Sequence, residues 1–161
     1  MGIKCSMSQK ELDNLLMQIA EIIHNEIFNT LAYLGEQCTT KIRDRSASES
    51  WIDHTGNLRS SIGYAIFEHG KKKIESSFES VLSGSTGSAK GKAYVDSLAS
   101  IYSQTYALVV VAGMEYADYV EAIDSKDVLA STQVWAMATI DGYLKKAQEK
   151  AINKVNRLLA A

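Results

Sequence analysis

The chain has 161 residues, of which 46% are hydrophobic, so it is long enough to bury one core of ordinary domain size. Its 17 basic and 19 acidic residues leave a formal net charge of -2, which gives the surface as a whole no electrostatic attraction to nucleic acid or anionic lipid. Two cysteines, Cys5 and Cys38, are too few for a disulfide framework or a zinc site, and a reducing cytoplasm is the simpler expectation. The apolar runs are shorter than a bilayer span requires, so we expect neither a signal peptide nor a membrane helix.

The first element that the sequence predicts is a long amphipathic helix. Ser8 and Glu11 have the S-x-x-E spacing of a capping box, in which each side chain accepts a hydrogen bond from the backbone of the other residue. Leucine and isoleucine then recur at steps of three and four residues from Leu12 to Leu34, which lays one apolar stripe along a helix. We predict a helix from Ser8 to the Lys41–Arg45 region, with Cys38 buried.

A surface connection, a hairpin and a glycine-rich segment follow. Residues 46–55 are mostly small, polar or charged, whereas alternation over Ile62–Phe67 and Lys73–Leu82 predicts two strands joined by a turn at His69–Lys72. Ser83–Lys92 (SGSTGSAKGK) has the composition of a flexible linker, so we predict a mobile loop at about residues 83–92 that orders against a neighbouring subunit. The residues assigned to this interface loop are Gly84, Gly87, Lys90, Gly91 and Lys92.

The last part of the chain is predicted to contain a helix, a strand and a long closing helix. Helical spacing indicates a helix at Ala93–Ser103, and the β-branched run Tyr106–Ala112 is apolar enough for a central strand. One or two helical turns near residues 116–123 and a turn at Asp124–Asp127 precede a helix over Ser131–Leu159. The predicted class is α+β, with a small antiparallel sheet packed by a long N-terminal, a middle and a long C-terminal helix. We expect one domain, residues 1–161, with mobile ends.

The patterns that would indicate catalysis or metal binding are weak. Gly84–Lys92 does not meet the spacing of a phosphate-binding loop, and Asp53 and His54 are adjacent in a loop, which does not build a base held by a carboxylate. The three histidines are scattered, without ligand spacing. Four acidic residues at steps of three could gather on one helix face, where a solvated or inter-subunit role is favoured over cation binding: Glu115, Asp118, Glu121 and Asp124. We therefore expect no enzyme activity, no cofactor and no metal.

Two segments stand out as motifs: Asp53–Ile62 (DHTGNLRSSI) and Glu115–Glu121 (EYADYVE). The first resembles the D-x-T-G-N-L-R-x-S-I signature of the tail-component and tail-completion family of long-tailed double-stranded DNA phages, and the second is similar to its later x-Y-A-x-Y-V-E element. Their order and separation also match that family. The chain departs from many relatives after Glu121, where Ala122 and Ile123 stand in place of an aromatic residue and glycine.

The resemblance implies a non-catalytic structural protein of the virion tail or neck, made in the bacterial host cytoplasm and encoded by a phage or prophage. It also implies a homo-oligomeric ring, of six subunits in the family, that joins tail-tube and neck or connector proteins and meets DNA only in the channel. The residues that it assigns to assembly or to the fold are Thr55, Gly56, Asn57, Leu58, Arg59, Ser60, Ile62, Tyr116, Ala117, Tyr119 and Glu121.

Elementary chemistry gives several of these residues a structural role. Gly56 permits a positive φ, while Leu58 and Ile62, four residues apart, can anchor the turn to a core. Arg59 presents a planar donor group that can grip a carboxylate, and Glu121 is a candidate partner within the subunit or across to the next one.

Three other functions are kept open, of which the weakest is a helical adaptor protein of a host that shares the motif by chance. The main alternative is a channel or packaging accessory protein that contacts nucleic acid through lysines on flexible tips: Lys71, Lys72, Lys73, Lys90 and Lys92. A second alternative is a small enzyme that uses Asp53, His54 and the acidic helix.

Overall fold

A computed structural model of the chain describes residues 7–103, 106–123 and 126–160. In chain order, they form helix α1 (Gln9–Arg43), helix α2 (Asn57–Ser60), strands β1 (Ile62–Glu68) and β2 (Lys71–Glu75), helix α3 (Ser85–Ser97), a 3-10 turn (Ala99–Tyr102), strand β3 (Tyr106–Ala112), helix α4 (Ala117–Glu121) and helix α5 (Ala130–Leu159). The predicted α+β class, with its long terminal helices and small antiparallel sheet, is confirmed. Across these residues, no helix is both long and apolar enough to cross a membrane.

The chain divides into two compact units. One combines α1 up to Thr30 with α5 from Gly142, and the other extends from Leu31 to Asp141 and contains the sheet. Cys5 and the two chain ends that we predicted to be mobile lie outside the described residues. The assignment of all 161 residues to one functional domain stays a prediction.

The helical unit begins with the predicted capping box. The Glu11 carboxylate accepts hydrogen bonds from the backbone N–H and the hydroxyl of Ser8, both at 2.7 Å, and the Ser8 hydroxyl oxygen accepts the Glu11 N–H at 3.3 Å. The buried carboxylate of Glu26 accepts a hydrogen bond from Lys154 at 2.5 Å, which links α1 to α5. An apolar groove of about 450 Å³ between the two helices includes Ile23 and Ile152.

The sheet of the second unit is antiparallel, with strand order β2-β1-β3. Strand β1 lies in the middle and is buried on both faces because its side chains alternate between two apolar clusters. Ile62 joins the cluster that includes Ile42, Trp51 and Val128, with Val110 and Ala112 packed against it. On the opposite face lies a second cluster: Ala65, Phe67, Phe78, Val95 and Val111, with Leu98, Ala99, Tyr102 and Val109 packed against it.

Two predictions for the sheet are wrong. The second strand was predicted over Lys73–Leu82 but is Lys71–Glu75, since Phe78 and Leu82 have positive φ values of 49° and 51°, which extended strands do not adopt. Tyr106–Ala112 was predicted as a central strand, yet β3 lies at an edge of the sheet. Its apolar side chains pack on both clusters, so its composition reflects burial of its two faces rather than a partner on each side.

The prediction of a flexible loop at residues 83–92 is also wrong. Helix α3 begins at Ser85, earlier than the predicted middle helix. A Cβ atom at Gly87 would lie 1.9 Å from the carbonyl oxygen of Asn57, and one at Gly91 would lie 2.6 Å from the Phe78 ring. These glycines let α3 approach its neighbours closely, so they serve packing rather than chain flexibility.

Candidate assembly site

The first motif folds into a capped turn that leads directly into β1. The Asp53 carboxylate accepts hydrogen bonds from the backbone N–H of Gly56 at 2.9 Å and of Arg59 at 3.3 Å. The Thr55 hydroxyl oxygen accepts the Asn57 N–H at 3.3 Å, so the side chains of Asp53 and Thr55 both cap the turn. Gly56 adopts the expected positive φ, 79°. The motif thus supplies its own backbone hydrogen bonds at a tight turn.

The remaining residues of this motif bind the turn to the core and to α3. Leu58 and Ile62 are fully buried, which confirms their predicted role as anchors. The Asn57 side-chain oxygen accepts the Gly87 N–H at 3.1 Å, and the Ser60 hydroxyl oxygen accepts the Val81 N–H at 2.9 Å. The residues of the predicted loop and of the first motif therefore form one packed structure.

Arg59 does not pair with Glu121 within this chain. Its guanidinium donates two hydrogen bonds of 3.3 Å to the carbonyl oxygen of Arg45 and lies 5.2 Å from the ring centre of Trp51. Its Nε is 3.6 Å from the Asp53 carboxylate. Asp53 lies six residues before Arg59 in the same turn. Its carboxylate is therefore the one beside Arg59 in this chain, rather than the carboxylate of the distant Glu121.

Glu121 instead organises the start of the last helix. Its carboxylate accepts the backbone N–H groups of Val128 at 3.0 Å, Leu129 at 2.7 Å and Ala130 at 3.2 Å. A negative charge is favourable at this position because the first amides of a helix are unpaired and carry partial positive charge. The second motif therefore fixes the position where α5 begins.

The fold brings the two motifs together. Leu58 and Ile62 of the first motif and Ala117 of the second belong to the same buried cluster. Tyr116 is an exposed residue, but partial desolvation, together with the nearby charge of Asp53, raises its pKa above the usual value. We call the surface that these segments share, Asp53–Ile62 with Glu115–Glu121, the motif platform. Tyr119 projects from it with 72% of its surface exposed.

The charged residues proposed for other functions are largely engaged. Lys90 donates to both carboxylate oxygens of Glu115, at 2.5 and 2.6 Å, and Lys73 lies 3.0 Å from Glu68. Lys72 forms ion pairs with Glu75 and Asp96. No group of three or more histidine, cysteine or acidic residues is placed to hold a metal ion within residues 7–103, 106–123 and 126–160; Asp124 lies outside them.

Sequence reasoning missed a groove along the outer edge of β3. The groove has a volume of about 250 Å³ and contains the strand residues Val109–Ala112. One wall is formed by aromatic and aliphatic residues near α3, and the other by residues of α4 and of the segment before α5. The signal in the sequence was a seven-residue strand without a charged residue, YALVVVA, but only the tertiary structure shows that this strand lies at an edge.

Comparison with known proteins yields no match for this chain among protein-family models, curated proteins or solved structures.

Proposed function

We propose that this chain is a non-catalytic structural subunit of a ring at the tail end or head-tail junction of a long-tailed phage. The observation that carries the proposal is the motif platform: the two segments that resemble the tail-completion family lie far apart in sequence but pack in one cluster. Most of their buried and polar residues specify the fold, and Tyr116 and Tyr119 are left exposed. Exposed aromatic residues on a rigid support are typical anchors of protein interfaces.

A ring needs contacts in which one patch of a subunit meets a different patch of the next one. The motif platform supplies one such patch, because Tyr119 is held by a short helix whose neighbours Ala117 and Val120 pack into the core. A rigid patch loses little conformational entropy when a neighbour binds. The platform would meet the next subunit, and the tail-tube and neck or connector proteins would bind the two ends of the ring.

The alternative of a nucleic-acid-contacting protein receives less support from the same charges. Three of the five lysines proposed to touch phosphates, Lys72, Lys73 and Lys90, are held in ion pairs with carboxylates. Lys90 and Lys92 lie on helix α3 rather than on a flexible tip. In the ring proposal, contact with DNA is confined to the channel.

Light scattering across a concentration series, alone and after addition of the tail-tube protein encoded alongside, tests the proposal. We expect a species of ring size, alone or on mixing, and rings in electron micrographs. Replacing Tyr119 with serine should abolish the ring while leaving the circular dichroism spectrum unchanged. Val134 is similarly exposed, at 70%, but lies on α5 outside the platform, so Val134→Ser is the matched control and should assemble normally. A chain that remains monomeric with and without the tail-tube protein would contradict the proposal.

A further inference from the structure

The outer edge of β3 carries backbone groups that have no partner within the described part of the chain. Gly113 N–H donates to the Ser61 carbonyl at 3.1 Å, which fixes the alternation of the antiparallel ladder with β1. The N–H and C=O groups of Ala107, Val109 and Val111 therefore face β1. Those of Leu108, Val110 and Ala112 face away from the sheet.

The edge is recessed between two walls rather than lying flat on the surface. Tyr94, Leu98 and Tyr102 form the wall on the side of α3. Ala117, Val128 and Leu129 contribute to the opposite wall. The groove therefore straddles the strand edge, and side chains from each face of the sheet border it. A segment in extended conformation has the shape that fits, because its alternate side chains would meet the two walls in turn.

The charge of the groove specifies its occupant further. Asp118 and Glu121, both acidic, are the charged residues that line it, and both belong to the wall on the α4 side. Glu121 is bonded to three backbone amides, whereas Asp118 is exposed and can meet a cation. The wall formed by Tyr94, Leu98 and Tyr102 is aromatic and aliphatic.

We propose that the β3 edge binds an extended segment of a partner protein, which adds a fourth strand to the sheet. The segment would place lysine or arginine on alternate positions toward Asp118 and apolar side chains on the other positions toward Tyr94 and Leu98. Main-chain hydrogen bonds to Leu108, Val110 and Ala112 would supply affinity, and the two walls would supply specificity. The proposal does not rest on the family resemblance.

A second copy of this chain is the less suitable occupant on electrostatic grounds. Its own β3 edge would bring the same acidic wall, with another Asp118 and Glu121, toward the first copy. Like charges that face each other across an interface oppose association. A basic strand from a different protein avoids this repulsion.

Fluorescence anisotropy with labelled, end-blocked heptapeptides tests the proposal on the whole chain. The probes alternate lysine with valine, isoleucine or phenylalanine, and matched probes carry glutamate in place of lysine. We expect saturable binding of at least one lysine probe, with about tenfold weaker binding of its glutamate counterpart. N-methylation of the probe amides that face β3 should reduce binding by about tenfold or more, since each methyl group removes one donor.

Substitutions at Val110 test the same proposal from the side of the protein. Val110→Pro removes a single outward N–H without touching the ladder to β1, so it should weaken binding by about tenfold, whereas Val110→Thr keeps the N–H and should bind as the wild type does. The N-methylated probes keep the test decisive if the proline variant does not fold, because they use the unaltered chain. Absence of binding by every lysine probe, or binding that neither N-methylation nor glutamate weakens, would overturn the proposal. A wild-type dimer that Val110→Pro converts to a monomer would also overturn it, in favour of pairing between two copies.

Discussion

The two edges of the sheet differ in chemistry although both strands pair with β1. Strand β2 carries Lys71, Lys72 and Lys73, and its ladder with β1 shifts register between Ile66 and Phe67. Strand β3 carries no charged residue and pairs with β1 in uninterrupted register along its length. Lysines and bulges are the usual means by which proteins prevent edge strands from pairing with other chains. The difference indicates that β2 is protected from pairing, while β3 remains available for it.

The surroundings of the two edges reinforce this contrast. Two of the three β2 lysines are held by carboxylates, with Lys73 3.0 Å from Glu68 and Lys72 2.5 Å from Asp96. The β3 edge is instead framed by two walls that helices hold in position. An edge strand should therefore be judged by its charges and by the elements beside it.

The largest loss of stability is expected from a substitution at Gly87 in α3. This helix holds Tyr94 in one wall of the groove and packs on the motif platform. The Cβ atom of Gly87→Ala would lie 1.9 Å from a backbone oxygen of Asn57, so we expect a loss of about 2 kcal/mol in unfolding free energy from overpacking. Gly142→Ala is the matched control, since this helical glycine has nothing within 4 Å of the added Cβ atom. It should gain about 0.5 to 1 kcal/mol. Urea unfolding of both variants measures the difference, and equal stabilities would contradict the packing account.

The other wall depends on Glu121, whose carboxylate binds three amides at the start of α5. Glu121→Ala should reduce the unfolding free energy by about 1 to 2 kcal/mol, because these donors lose a charged acceptor. Glu115→Ala removes an exposed carboxylate that pairs with Lys90, and solvent screens that ion pair, so the substitution should change stability much less than Glu121→Ala does. Denaturant titration compares the two variants. A larger loss for Glu115→Ala than for Glu121→Ala would show that the second motif does not anchor α5.

Asp127 precedes Val128, which lines the groove. Because of Asp127, the unfolding free energy of the chain should fall in acid. Partial burial raises the pKa of Asp127, but hydrogen bonds from Ser131 and the Arg45 guanidinium outweigh this effect and hold the pKa below its usual value. A carboxyl with a lowered pKa stabilises the folded state above the pKa of the unfolded chain, about 3.9, and this contribution is lost as the pH falls through the folded value. Urea midpoints should therefore separate wild type from Asp127→Asn at pH 7 and converge below about pH 4. A constant difference over this range would contradict the assignment.

The lysines of β2 should affect association more than stability. Replacing Lys71 and Lys73 with valine removes charge from this edge, so aggregation during heating should increase, while unfolding free energy changes by only about 0.5 kcal/mol. Replacing the exposed Lys145 and Lys150 of α5 with valine gives the same change in net charge away from the sheet. Static light scattering during a thermal ramp should show earlier aggregation for the β2 pair. Equal onset temperatures in the two double variants would mean that these lysines do not protect the edge.

Local patterns in the sequence predicted the two long helices well. The stripe from Leu12 to Leu34 and the Ser8–Glu11 capping box gave α1 almost to its last residue, because both depend on interactions within a few residues. Leu58 and Ile62 were also correctly predicted as core anchors. The role of the motifs in assembly stays a prediction, since folding of a single chain does not reveal its neighbours.

The errors concern properties that only tertiary packing decides. Glycines at Gly87 and Gly91 are typical of both linkers and tightly packed helices, and composition does not distinguish the two. The apolar run Tyr106–Ala112 fits a strand covered on both faces, whether or not it has a neighbour on each side. Glu121 was one candidate partner of Arg59, within the subunit or in the next one, and the contact with Asp53 inside this chain depends on the exact path of the turn.

Amide hydrogen exchange by NMR on the monomeric chain tests the open edge of β3 most directly. The account predicts fast exchange at Leu108, Val110 and Ala112, and exchange slower by about tenfold or more at Ala107, Val109 and Val111, whose N–H groups bond to β1. Equal protection of both sets in the monomer would contradict the account, because it would show that the outward groups of β3 already have partners.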